Sequence, residues 1–406
     1  MLGDNPYGRS TESRDCSECH DVRRPRGSKL GACGSVPATM SLTPDPTRIV
    51  RVEPSRLEEA MSALLGAGPA AAKRFVDQAH TSRVVLDHLW CLTDSHGRYR
   101  AAVLAVPSPG RASMLLATRA RDEEDARQFG PLIAAAAVGS APFADIAQAL
   151  VEPTRVHDIA AYQYGGLARM ADLEYLERSL PRAGILEPSP APPGWSVECV
   201  ALPAELARET PDGITPAMRA ELIAVLERSY LDTLDCPGLA GMRATSDVLV
   251  GHFGTGARTR HWLVARQIDP TAGSALGQAT TPGAARREPR RDGHGVDEHV
   301  RVHGEDDAAM RASLCVRSSV HGVCLMNVTP DGSDAELVYL GLAPEARGEG
   351  IGQALLAHGL HACSRSRCAS VSLAVDTRND FARRLYERNG FRRVSTRVAL
   401  VRKTHA

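Results

Sequence analysis

The stretch AELVYLGLAPEARGEGIGQALL, Ala335 to Leu356, decides the fold. It begins as a strand-like apolar run, passes Pro344, and turns through Arg347-Gly348-Glu349-Gly350-Ile351-Gly352 into an amphipathic helix. Glycines at alternate positions adopt backbone conformations closed to other residues and leave main-chain N–H groups with no Cβ in front of them. Such N–H groups at a helix start, together with the helix dipole, make an anion site, and a diphosphate is its natural guest. Arg347 either adds positive charge there or packs along the turn. Other phosphate-binding turns fit less well. The GxxxxGK[ST] loop needs a Lys-Ser/Thr pair that does not follow these glycines, and the dinucleotide turn needs GxGxxG where this chain has GxGxG. The glycine loop of kinases joins two strands and does not open a helix.

Working outward, residues 195–406 alternate strand and helix patterns. Strands are expected at 195–201, 261–266, 320–328, 335–342, 371–375 and 394–401. Helices are expected at 216–231, 245–253 with Ser246 as N-cap, 350–363 and 380–388. The 350–363 helix should bury Ile351, Ala354, Leu355, His358 and Ala362. A helix between the strands at 335–342 and 371–375 makes a right-handed crossover, so these two strands should be parallel. Residues 269–312, poor in apolar side chains and rich in Gly, Arg and Asp, read as a long loop inserted between two strands. Its His294, His299 and His303 suit a metal in principle, but an exposed loop without cysteine neighbours is the simpler reading.

The rest of the chain divides by composition. Residues 1–45 are polar and Gly/Pro/Ser-rich and read as a disordered tail. They contain Cys16-Ser-Glu-Cys19-His20, a spacing known from haem attachment and zinc knuckles, without periodicity around it. Residues 46–183 alternate strands and helices, and the proline-rich 184–194 reads as a linker. A shift of 224 positions lays 375–402 over 151–178 without a gap: Val375 meets Val151, Tyr386 meets Tyr162, Gly390 meets Gly166 and Phe391 meets Leu167. This is an internal repeat, in which a strand runs into a short helix, a glycine cap and another strand.

Composition bounds the function. The 406 residues carry 48 Lys+Arg and 48 Asp+Glu, so no net charge drives binding to nucleic acid or a membrane surface. Aromatics at 4% argue against base-stacking platforms. No apolar run approaches the roughly 18 residues of a membrane span, and the N-terminus lacks the apolar core of a signal peptide. Cytoplasmic location is the default expectation, with the ten cysteines mostly reduced.

The glycine turn resembles motif A of the GNAT acetyltransferases, [RQ]xxGx[GA] behind a strand, here Arg347-Gly-Glu-Gly350-Ile-Gly352. Downstream, Asn379-Asp-Phe-Ala382-Arg-Arg-Leu-Tyr386-Glu-Arg-Asn-Gly390-Phe391 is similar to the family's motif B. The resemblance covers 195–406 and, more weakly, 46–183. The tandem layout with one degraded copy is similar to that of mycothiol synthase-like enzymes. What the resemblance implies is an α/β (α+β) fold of two tandem GNAT-like domains, each a mixed, centrally splayed sheet flanked by helices. The first copy, 46–183, is degenerate. The second, 195–406, is catalytic and carries the insertion.

The resemblance further implies acetyl-CoA as acyl donor and no metal. Two strands ending near Leu342 and Val375 should splay, with a bulge at Gly341 opening the wedge. Pantetheine then pairs with the backbone near Leu340 and Leu342, and the diphosphate reaches Arg347, Gly348, Gly350, Ile351 and Gly352. Asn379 and Ala382 lie beside the pantetheine arm, although Asn379 also suits a plain helix cap. Amine acylation needs a base, a donor to the carbonyl oxygen and an acid for the thiolate. Glu336 is placed as some members place their base, or is a strand-edge carboxylate at the surface. Tyr386 matches the tyrosine facing the CoA sulfur, or fills the core. Asp232 and Asp235 can hold a cationic amine or lie in a solvated loop. Cys236 has no partner at a nucleophile's spacing. Acidic residues 122–125 stand where the first copy would need its glycine turn and would repel a diphosphate, so that copy should support the second without binding CoA. The expected function is transfer of an acetyl group to a primary amine of a small molecule or peptide, by direct attack in a ternary complex. A CoA-binding sensor or scaffold without catalytic power is the alternative. The oligomeric state is not legible.

Overall fold

A computed structural model of the chain describes residues 48–82, 84–181, 184–200, 214–253, 257, 259–268 and 319–405. The Cys16–His20 motif and the whole of 269–312, with the histidines of the insertion, lie outside the described residues.

Two stretches 224 positions apart follow the same path. Strand β5 (Ile146–Val151), helix α4 (Val156–Tyr164) and strand β6 (Ala168–Ser179) recur as β11 (Ser370–Asp376), α8 (Asp380–Arg388) and β12 (Arg392–Lys403). Both helices end in a glycine with positive φ, Gly166 at 80° and Gly390 at 81°. That left-handed turn sends the chain back as a strand, and an L side chain there is strained. Tyr162 and Tyr386 are each 6% exposed, and Leu167 and Phe391 are buried behind them.

The remaining strands are β1 (Arg48–Arg51), β2 (Leu89–Thr93), β3 (Tyr99–Ser108), β4 (Ala112–Ala117), β7 (Trp195–Cys199), β8 (Thr259–Gln267), β9 (Val320–Val328) and β10 (Asp334–Leu342). All twelve join one sheet in the order β1-β2-β3-β4-β5-β12-β6-β11-β10-β9-β8-β7. The last strand of each repeat has crossed over: β12 pairs with β5 of the first half, and β6 pairs with β11 of the second. The β12–β6 ladder between them is antiparallel and centred on Arg397 opposite Leu173, themselves 224 apart. Each strand carries a one-residue bulge, at Met170 and at Val394, again 224 apart. The structure thus has a local two-fold axis within one chain. Apolar packing follows the exchange. Leu176 and Leu180 join the core of the second half, and Val398 and Leu400 join that of the first. Strand pairing therefore runs across the proline-rich 184–194 connection.

Helices cover the sheet: α1 (Leu57–Leu65), α2 (Pro69–Thr81) and α3 (Glu123–Gly139) in the first half, and α5 (Pro216–Ser229), α6 (Thr245–His252) and α7 (Ile351–Arg365) in the second. Two local expectations need correction. Ala244, not Ser246, takes the N-cap position of α6 and makes no side-chain cap bond. The buried stripe of α7 runs on through Gly359, Leu360 and Cys363, while His358 and Ala362 stay partly exposed. The reason is contact with β9: a Cβ on Gly359 would sit 2.5 Å from the Met326 side chain, so the bare backbone goes inward there.

In the first half β4 and β5 are parallel and pair only from Ala112–Met114 to Ile146–Gln148, then part. Tyr162 spans the free edge of β4 there, on the wall of a cavity of about 270 Å³ that the parted strands leave between Leu115–Thr118 and Leu150–Glu152. Its hydroxyl donates to Leu115 O at 3.0 Å and accepts from the Ala117 N–H at 3.1 Å. Tyr162→Phe leaves both backbone groups without this partner, at about 1–3 kcal/mol each. Thermal unfolding followed by circular dichroism should show a clearly lower Tm, and an unchanged Tm would mean that water in the cavity satisfies the strand edge equally well.

Candidate active site

The equivalent gap in the second half is wider, and no tyrosine hydroxyl bonds to its strand edge among the described residues. Strands β10 and β11 are parallel and pair only from Asp334–Glu336 to Ser370–Ser372. β10 continues to pair with β9 as far as Leu342 opposite Gly322. One edge of β10 is therefore free of strand partners from Leu337 to Leu342. The bulge that accompanies the splay falls at Val338, between Leu337 and Tyr339, and not at Gly341. Gly341 instead lies against the Tyr339 ring, where an added Cβ would come within 2.5 Å of ring carbon.

The free edge leads into the glycine turn. After a short turn at Pro344–Ala346, Arg347 is extended, and Gly348 and Gly350 take φ of 83° and 81°. Gly350 occupies the N-cap of α7, with no side-chain cap and no acidic residue in the first turn. Its early N–H groups are thus available to an anion. The first half differs at the same place. Asp122 caps α3 by accepting from the Asp125 N–H at 2.8 Å, and Glu123, Glu124 and Asp125 fill the first turn. That helix start already holds negative charge of its own. Arg347 takes the packing role: its guanidinium donates to the carbonyls of Leu342, Ser229 and Leu231, tying the turn to the end of α5. Glu349 accepts from Trp195 Nε1 at 2.9 Å and fixes the turn from the other side.

A cavity of about 440 Å³ lies between the free edge of β10, the end of β11, the turn and α8. Leu340, Leu342, Arg347, Gly348, Gly352, Asn379, Ala382 and Tyr386 all line it. Gly350 and Ile351 do not; the Ile351 side chain is core, 1% exposed. Asn379 caps α8, its Oδ1 accepting from the Ala382 N–H at 3.2 Å. Tyr386 packs edge-on to Phe391, and burial pushes its phenol well above the ordinary value. Unlike Tyr162, it makes no hydrogen bond through its hydroxyl among the described residues. Glu336 sits apart: it is the last β10 residue paired to β11 and is not on the cavity wall, and although the residue reaches solvent, burial of its carboxyl raises it above the usual range.

Two carboxyls line the wall, Asp232 and Asp235, and Asp235 is the one bonded to the end of β11. It belongs to the loop after α5, where Asp232 and Cys236 have positive φ, 53° and 46°, without being glycine. Strain of this kind persists only where surroundings impose it. Here the end of β11 imposes it. The Asp376 N–H donates to Asp235 Oδ1 at 3.0 Å, and the Cys236 N–H donates to Asp376 Oδ2 at 3.2 Å. Arg378 grips both Asp376 oxygens and the Met170 carbonyl. Burial alone would raise the Asp376 carboxyl, but the Arg378 guanidinium and the backbone donors bring it below its usual range. Asp235 has no such cation in contact, and burial holds its carboxyl above the usual range. Burial and the two carboxylates push the Cys236 thiol up to about 12, so it is no thiolate nucleophile at neutral pH.

A second cavity of about 260 Å³ shares Thr233, Asp235 and Tyr339 with the first. Tyr339, whose hydroxyl lies 2.8 Å from that of Ser229, forms part of both walls. None of Tyr339, Arg243 or His252 was singled out by the sequence, because no motif spacing links them. Helices α5 and α6 bring them together only in the fold.

Residues 287–391 match the family model described as acetyltransferase (GNAT) family. The C-terminal part of this chain is thus similar to the GNAT acetyltransferases. Of the match to the GNAT model, the described portion is 319–391 and carries the whole open wedge, turn and α8. A mycothiol acetyltransferase of Beutenbergia cavernae is 33% identical over 90 residues, 22% of this chain. The chain spans only 27% of that relative's length in the match. Among solved structures, a GCN5-related N-acetyltransferase from Sphaerobacter thermophilus aligns with 89% of this chain and 97% of its own, at 14% identity and a TM-score of 0.46. A tandem GNAT protein from the clavulanic acid biosynthesis pathway aligns with 89% of this chain and 99% of its own, at 14% identity and 0.43. Among the described residues no helix is long and apolar enough to cross a membrane, and no cluster of three or more His, Cys, Asp or Glu forms a metal site.

Proposed function

We propose that this protein is an acetyl-CoA-dependent N-acetyltransferase whose CoA site is the wedge of the second half. The observation that carries this is the unpaired edge of β10 running directly into an uncapped, glycine-lined helix start. The backbone N–H groups of 348–353 bind the diphosphate, and the β10 edge near Leu340 and Leu342 pairs with the pantetheine amides. When bound, acetyl-CoA supplies an activated acyl carbon on a thiol leaving group.

The chain's own residues do the rest. Asp235 accepts a proton from the incoming ammonium, so that the free amine attacks the acyl carbon and the carbon–sulfur bond breaks. Glu336, the base that the family resemblance implied, does not line this cavity, and of the two carboxyls that do, Asp232 and Asp235, we assign the role to Asp235, which lines both cavities. A backbone N–H near Leu342 donates to the developing oxyanion. Tyr386, kept neutral by burial, gives its proton to the departing thiolate and is restored by the second proton that the attacking nitrogen sheds as the amide forms. The first half lacks a diphosphate cradle, because carboxylates occupy the start of α3, and Tyr162 already takes the strand-edge groups of Leu115 and Ala117 that a pantetheine arm would need.

The test is calorimetric titration of the full chain with acetyl-CoA, then thiol release with an amine panel. Absence of binding would end this reading. Binding without turnover on any amine would leave a CoA sensor. Tyr386→Phe should lower kcat about tenfold with acetyl-CoA affinity unchanged. The loss is smaller than the usual 10²–10⁴ for an acid because a thiolate already leaves readily. An unchanged kcat removes the acid role.

A further inference from the structure

The smaller cavity contains groups for which the chain itself has no use. Among the described residues four buried side-chain polar atoms lack a partner, and two of them, Tyr230 Oη and His252 Nε2, belong to residues lining this space. Buried polar atoms are normally paired, so two residues of one cavity wall whose polar atoms are sealed from water and unmet mark the place where a guest that shifts the wall slightly can complete them. The third group is Arg243. Its guanidinium is largely withdrawn from water, donates to the Gly110 carbonyl at 2.7 Å, and has no carboxylate within ion-pair distance among the described residues. Asp247 and Asp145 act on it only from further away, and Asp145 is already held by Arg111 at 2.6 Å. A buried cation without an anion is costly unless a ligand provides one. His252 stacks on Tyr339, and burial with the Arg243 charge drives its imidazole down to about 4, so it is neutral and adds no competing cation. At the far wall stands Asp235, shared with the larger cavity.

We infer that the acceptor is an amine bearing its own carboxylate, of the amino-acid or short-peptide class, with the carboxylate on Arg243 and the amine beside Asp235. This rests on the acetyl-transfer reading above and narrows its substrate. Leu239, Met242 and Val248 give the side chain an apolar wall, and the volume suits one amino acid. The first half contributes to recognition through Ile146 on the wall and through the Gly110 carbonyl that orients Arg243. The products are an N-acetyl amino acid and free thiol.

The experiment uses the full chain, acetyl-CoA, and a panel of L-α-amino acids and dipeptides, each paired with its C-terminal amide. Thiol release should favour the free acids over their amides by at least about 30-fold in kcat/KM, the scale of a buried charge pair. Arg243→Met should erase that preference by raising the acceptor KM while the acetyl-CoA Kd stays unchanged. Arg243→Lys, which keeps the charge, should recover part of it. A Tm measurement on each variant separates lost recognition from lost fold. Equal or better turnover of the amides, or no acetylation of any acid by a chain that binds acetyl-CoA, overturns the inference and leaves the CoA site standing. Failure to bind acetyl-CoA at all overturns the acetyl-transfer reading and this one with it.

Discussion

Gly352→Phe raises the KM for acetyl-CoA at least about 100-fold and leaves the acceptor KM nearly unchanged. Gly352 lies in the first turn of α7 on the wall of the larger cavity. Its φ is not in the left-handed region, unlike those of Gly348 and Gly350, so a side chain there brings no backbone strain. A Cβ would sit 3.6 Å from Leu342 and 3.8 Å from Leu385, which is ordinary contact. Gly352→Ala therefore folds normally, and the better helix propensity of alanine favours it by up to about 1 kcal/mol. Only the longer phenylalanine side chain intrudes on the space where the diphosphate meets the N–H groups. Losing two charge-assisted hydrogen bonds at about 1.5–3 kcal/mol each accounts for the factor, at 1.4 kcal/mol per tenfold. Titration with acetyl-CoA and steady-state kinetics with both substrates read it. An equal rise in the two KM values would contradict the cradle.

Asp235→Asn lowers kcat by about 10² to 10⁴, the range of a general base. Asparagine keeps the oxygen that accepts from the Asp376 N–H, so the loop stays strapped to β11. The sign of the pH effect follows from burial. The native carboxyl is raised, so the folded chain holds that proton more tightly than the unfolded chain does. Stability contributed by this group is full below the unfolded value and is lost as pH rises through the raised folded value. Asn carries no charge and escapes that loss, so the variant should be at least as stable at neutral pH. Activity runs the other way. The ionised form is the base, so kcat/KM of the native protein climbs with pH through the raised value, and Asp235→Asn removes that limb. A variant with a flat profile and unchanged Tm confirms the role. Retention of the limb would return the base to another carboxyl, with Glu336→Gln the next to measure.

The wedge and the turn were legible because they depend on local chemistry. Three glycines behind a strand have few uses, and two of the three take positive φ as their spacing implied. The repeat was legible to the residue, since α4 and α8 begin and end 224 positions apart. Which sheet each final strand joins was not legible. β6 and β12 present the same alternation to either half, so pairing choice is decided by the whole molecule. The bulge at Val338 escaped notice for a related reason: glycine marks flexibility, while the ring of Tyr339 lying over Gly341 assigns that flexibility to packing. Arg243, His252 and Tyr230 carry no motif at all. Their meaning is the absence of partners, which exists only once α5 and α6 are folded against the sheet.

The crossed strands also govern how the chain is born. Residues 392–403 are synthesised well after β5, yet they complete the edge of the half that was made first. Until they emerge, β5 has an open side with Leu150 and its neighbours unpaired, and the nascent N-terminal half must wait with that edge uncovered. A lesion that removes β12 would therefore expose a strand about 240 residues away, and quality control would meet a defect near residue 150 caused by damage near residue 400.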